Sequence, residues 1–130
     1  MKLIPILPAV LLPLVVACAP ANVDEPRKIR APAATATGEP ISCISSNNIQ
    51  NTEVWDDYTI DFRMTNGRTY RNTLDNRCPG LGFEERFIYE TSISQLCSTD
   101  IIAVLYSGGT RGGSCGLGQF VPVKVEKTKK

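Results

Sequence analysis

The sequence predicts an all-β fold: a small, disulfide-stabilised antiparallel barrel or sandwich of five to seven short strands. Three observations carry that expectation. Apolar and polar residues alternate over short stretches, the period of a strand with one buried and one wet face. Gly, Asn and Asp punctuate those stretches as turn residues do. Five cysteines stand in a chain of only 130 residues. A core that small gains little from burial and usually needs covalent staples.

The elements follow in order from Ile41. Ile49 to Trp55 reads as a strand that turns at Asp56-Asp57. Tyr58, Ile60, Phe62 and Met64 then alternate with Thr59, Asp61 and Arg63, so the apolar set is expected inside and the polar set in water. Thr65-Asn66-Gly67 closes a hairpin, because Asn and Gly both tolerate positive φ, and the return strand runs from Arg68 to Leu74. Arg86 to Thr91 and Ile101 to Tyr106 are further strands. The second is apolar on both faces and should be central. Ser92 to Leu96 reads as a turn or helical turn. Gln119 to Val123 is the last strand, placed at a sheet edge because Pro122 has no N–H to donate. No long amphipathic helix is visible.

The remainder of the chain divides into three parts outside that domain of residues 41–123. Residues 1–17 have a positive start at Lys2 and an apolar run broken by Pro5, Pro8 and Pro13. That run is too short for a membrane span of roughly 20 residues and fits a secretory signal peptide. Its end, Val15-Val16-Ala17-Cys18, resembles the bacterial lipobox. The resemblance implies cleavage before Cys18 and acylation of that cysteine, and two or three acyl chains anchor a protein stably. Residues 18–40 are rich in Pro, Ala and Thr without apolar periodicity and are expected to form a disordered tether. Residues 124–130 form a basic tail containing Lys124, Lys127, Lys129 and Lys130. The protein is therefore expected in the bacterial cell envelope, facing the periplasm. Ala19 stands after the cysteine in place of the Asp that retains lipoproteins in the inner membrane, which favours the outer membrane.

With Cys18 set aside for lipid, Cys43, Cys78, Cys97 and Cys115 remain, and an even number in an exported domain reads as two disulfides. Three pairings are open. Cys78–Cys97 with Cys43–Cys115 is favoured, since the second bond would tie the first strand region to the last. A zinc site is disfavoured by the lack of any Cys-x-x-Cys pair and by export.

The search for chemistry is mainly one of exclusion. The chain contains no histidine, the commonest general base and metal ligand. Removing residues 1–17 takes away Lys2 and leaves 13 basic against 13 acidic residues, a balance that argues against nucleic acid. Ser107 to Ser114 is glycine-rich but lacks the lysine of a phosphate loop, and reads as a mobile connection. Asp56 and Asp57 are adjacent and would face opposite ways on a strand, so a turn role is expected. No serine sits in a Gly-x-Ser-x-Gly motif. Catalytic residues, cofactors and metals are therefore not expected. Arg111, near the glycine-rich tip, and Trp55, the sole tryptophan, are the candidate partner contacts, although core packing is the ordinary role of a tryptophan.

A further resemblance rests on Val54-Trp55-Asp56-Asp57 with Thr59-Ile60 and Phe62, on Tyr70-Arg71-Asn72 and Leu74, and on Cys78-Pro79-Gly80-Leu81. It continues through Arg86-Phe87, Leu96-Cys97, Asp100-Ile101-Ile102 and Cys115-Gly116-Leu117-Gly118. Over residues 41–123 the chain resembles an uncharacterised family of small proteobacterial exported proteins and lipoproteins. The resemblance implies export and disulfide bonding and brings no activity with it. The expected function is a non-enzymatic interaction or structural module, bound to the membrane through its lipid and contacting an envelope protein. The alternative is a periplasmic inhibitor of a hydrolase such as lysozyme, by analogy of architecture alone.

Overall fold

The computed structural model describes residues 29–127, together with Pro5. The expected leader (Pro5 apart), Cys18, the first part of the tether and Lys129-Lys130 lie outside the described residues.

Ten short strands form three antiparallel sheets. The largest has five strands. In spatial order these are β1 (Ala34–Ala36), β10 (Phe120–Val125), β5 (Thr69–Thr73), β4 (Thr59–Met64) and β3 (Ile49–Val54). A second pairs β2 (Cys43–Ser45) with β7 (Gln95–Cys97). The third sets β8 (Ile101–Leu105) between β6 (Phe87–Tyr89) and β9 (Arg111–Gly116). One helical turn, α1 (Leu81–Glu84), precedes β6. The sheets are not closed into a barrel, and the architecture is sandwich-like.

The core lies between the sheets because the expected alternation holds on one face. Ile60, Phe62 and Met64 of β4 are buried, and Phe62 meets Phe120 and Phe87 edge to face at 5.4 and 6.1 Å. The Phe62–Phe87 contact joins the five-stranded sheet to the three-stranded one, while Phe62–Phe120 lies within the large sheet; aromatic pairs at these distances stabilise beyond their buried area. Ile44 and Leu96 add the two-stranded sheet to the same cluster. Ile102 and Val104 of β8 are fully buried, and β8 is the central strand that its sequence predicts.

Several expectations need correction. There are ten strands among the described residues, not five to seven; β1, β2 and β7 have three residues each, too few to show a period. Gln95–Cys97 is a strand rather than part of a turn, because it pairs in register with Cys43–Ser45. The second half of the segment that reads as a mobile glycine-rich connection, from Arg111 to Ser114, belongs to β9, paired with β8, and Ser107 to Thr110 forms the tip. Pro122 is not on an edge strand: β10 lies between β1 and β5. The Pro122 carbonyl accepts from Thr37 N–H at 2.8 Å, just beyond the end of β1. In an antiparallel strand the missing N–H would point the same way, to the margin where the ladder stops.

The disulfides are Cys43–Cys97 and Cys78–Cys115, which corrects the favoured pairing of Cys43–Cys115 with Cys78–Cys97. Strand register decides the first bond, since Cys43 and Cys97 are direct partners across β2 and β7. The second ties the fully buried Cys78, just before α1, to β9.

The tether boundary also moves. From Arg30 onward the chain belongs to the fold. Arg30 N–H donates to Asp56 Oδ2 at 3.0 Å, and its guanidinium donates to the Gly82 carbonyl at 2.6 Å. Pro32 O accepts from Arg71 at 2.7 Å, Ala33 O accepts from Glu126 N–H, and β1 then pairs with β10. Residues 30–33 thus form a strap across the outer face of the large sheet. At the other end, β10 continues to Val125, so Lys124 is a strand residue rather than the start of a tail.

The strap explains a second correction. Alternation along β4 puts Asp61 in water, yet it is 3% exposed. Its direct cross-strand partner Arg71 grips it with two bonds of 2.8 and 2.9 Å, and the Trp55 indole N–H donates to it at 2.9 Å. A carboxylate buried on a sheet face is tolerable only when paired and hydrogen-bonded in this way.

Candidate functional site

The β4–β5 hairpin builds one wall of a groove. Gly67 N–H donates to the Met64 carbonyl, Met64 N–H to the Arg68 carbonyl, and Asn66 Oδ1 accepts from Arg68 N–H at 2.9 Å. Gly67 takes a φ of 85° while Asn66 does not enter the positive region. This is a three-residue loop with glycine at the left-handed position, a common hairpin geometry. Its effect is to place Arg63 and Arg68 on either side of a tight bend. The opposite wall is Thr37 to Glu39, which follows β1, and the C-terminal half of β10 supplies Lys124.

Tyr70 and Pro122, direct partners between β5 and β10, are among the residues lining it. Gly38 permits the wall to approach, because a Cβ there would lie 3.2 Å from Pro122 Cγ. The groove has a volume of about 900 Å³. Arg63, Arg68, Lys124 and Lys127 line it against a single acid, Glu39. Arg63 has a loose ion pair with Glu53 at 4.0 Å, and an exposed pair of that length contributes little. The cations therefore stay available to an acidic ligand, beside Tyr70, which is partly buried against the core.

The sequence-predicted contacts are placed differently. Trp55 follows β3 and is half-buried, with its N–H engaged by Asp61, so it supports the sheet. Arg111 is the first residue of β9 and pairs with Glu90 at 2.9 Å on the exposed surface. The two belong to different sheets, and the structure does not unite them in one site. Asp56 and Asp57 do take the expected turn role and more: Asp56 accepts from Tyr58 N–H and Arg30 N–H, and Asp57 from Gly82 N–H and Arg77. Asp100 accepts from Cys97 N–H. Buried Asn72 exchanges two bonds with the Gly118 backbone, at 2.7 and 2.8 Å.

Among the described residues, no buried side-chain polar atom lacks a partner, and no group of three His, Cys, Asp or Glu side chains is arranged to hold a metal ion. Buried Asp56 and Asn72 hold backbone, and buried Asp61 holds the Arg71 and Trp55 side chains. Sequence reasoning misses the groove because its cations come from two distant segments, the β4–β5 hairpin and the C-terminal stretch that reads only as a basic tail.

No family model, curated protein or solved structure matches this chain.

Proposed function

We propose that the protein is an exported, lipid-anchored and non-enzymatic module that holds an acidic partner in the groove between the β4–β5 hairpin and β10. The single observation behind this reading is the placement of four cations along that groove at the end of the sheet remote from the tether. The chain enters the fold beside Asp56, at the start of β4. Arg63 and Arg68 lie at the opposite end, one six-residue strand away. At about 3.3 Å per residue this separates entry and groove by roughly 20 Å. A lipid on Cys18 would then hold the entry side toward the membrane and present the groove outward. Two disulfides suit an oxidising compartment such as the periplasm. Charge complementarity of this kind governs encounter and partner choice more than raw affinity.

Poly-L-glutamate is a suitable acidic probe. The full chain should bind it with an affinity that falls as salt screens the cations. The double substitution Arg68→Glu and Lys124→Glu should weaken binding by about tenfold or more, equivalent to at least about 1.4 kcal/mol. Arg111→Glu should leave it unchanged, because Arg111 lies outside the groove. Equal loss from Arg111→Glu, or salt-independent binding, would contradict the assignment.

A further inference from the structure

We infer that the pole of the domain bearing Phe83, Ile29 and Tyr106 rests on the lipid surface to which the chain is tethered, and so fixes the orientation of the groove. This rests on the lipid-anchor reading of Cys18. Phe83 is 87% exposed, and Ile29 65%. A phenylalanine that exposed adds nothing to the core, yet its backbone is held unusually firmly. Leu81 beside it is fully buried, and Gly82 N–H donates to Asp57 Oδ1 at 2.8 Å. A Cβ at Gly82 would come within 2.9 Å of the Asp56 backbone, so the turn is packed tightly against the β3–β4 connection. The bond between Cys78 and Cys115 secures the segment just before it. Phe83 is therefore a rigidly presented apolar side chain.

Its neighbours share that character. The Arg30 guanidinium holds the Gly82 carbonyl, which brings the point where the tether leaves the fold next to Phe83. Tyr106, 37% exposed, packs beside Gly80 at the other side of α1. Tyrosine suits an interface, with an apolar ring and a polar tip. Exposed Arg30 and Arg86 offset Glu84 and Glu85 around the patch, so an anionic bilayer is not repelled.

The length of the chain beyond Ile29 selects the membrane as the occupant. Only ten residues separate Ile29 from Cys18. Fully extended, that stretch reaches about 40 Å at most. An anchor on Cys18 thus keeps this pole within about 40 Å of the bilayer and, because the chain joins the fold here, nearer to it on average than the groove. A tethered contact needs little intrinsic affinity, because its effective concentration is set by the linker. Phe83 would orient the domain, while the acyl chains retain it.

The test uses the full lipidated chain in vesicles of phosphatidylethanolamine and phosphatidylglycerol, with and without brominated acyl chains. Phe83→Trp is compared with the unsubstituted chain, whose Trp55 supplies a constant background. The added fluorescence should shift to shorter wavelength on vesicles and be quenched by the brominated chains. Thr65→Trp, in the hairpin loop at the far end, should show neither change. A lipidated, vesicle-bound Phe83→Trp chain whose added indole stays water-exposed and unquenched would overturn this inference and leave the anchor standing. A chain whose Cys18 proves unmodified by mass, and which remains in solution, would overturn both.

Discussion

Replacing Cys78 and Cys115 together by alanine is expected to lower the melting temperature of the oxidised protein by roughly 15–30 °C. The bond spans 37 residues of sequence. Closing a loop of that length removes about 4 kcal/mol of unfolded-state entropy in the chain-entropy model. In a domain of this size each kcal/mol moves the midpoint by about 4–8 °C. The location adds to the effect, because Cys78 is fully buried just before α1 and its bond fixes that segment to β9. Scanning calorimetry of the double variant checks this, and a midpoint within about 5 °C of the parent, well under ~2 kcal/mol by the same conversion, would show that the bond does not constrain the fold. Peptide mapping without reduction checks the pairing itself.

Arg71→Ala should cost about 3–5 kcal/mol, the usual consequence of stripping one partner from a buried ion pair. Among the described residues Arg71 is the only cation bonded to Asp61, and it also donates to Pro32 O. Its loss leaves a carboxylate that is 3% exposed with the Trp55 N–H as its remaining donor, and it frees the strap from the sheet. Urea unfolding should report the full loss. If the change stays below about 1 kcal/mol, as for a surface pair, the strap does not shield this site. The pair need not be a net stabiliser relative to apolar residues of the same volume; what it does is dictate where residues 30–33 lie.

That pair also marks the boundary of what the sequence discloses. Alternation along Tyr58 to Met64 correctly identifies Ile60, Phe62 and Met64 as core, since a period of two follows from strand geometry alone. It misplaces Asp61, because the opposite face is covered by a strap whose sequence, RAPA, looks like linker. Strap residues reach the sheet mainly through backbone atoms, and backbone bonds leave no trace in side-chain pattern. The same reason hides β1. Cysteine count predicts two disulfides, but the pairing depends on β2 meeting β7, a contact between strands of three residues. Pro122 misleads because an edge argument presumes that a ladder runs the whole length of β10, whereas β1 covers only its end. The groove is illegible for a different reason. Its charges balance against acids elsewhere, and only the hairpin bend and the proximity of β10 bring four cations together.

Two opposed ends define the proposed arrangement: lipid side at α1, partner side at the groove. Photo-crosslinking in intact cells distinguishes them, with a benzophenone side chain placed at position 37, an uncharged position in the groove wall, or at position 83 of the lipidated chain. The predicted result is a protein adduct from position 37 that falls by about tenfold with Arg68→Glu and Lys124→Glu together, and a lipid adduct from position 83. Lipid adducts from position 37, or a protein adduct there that is undiminished by the double substitution, would contradict it.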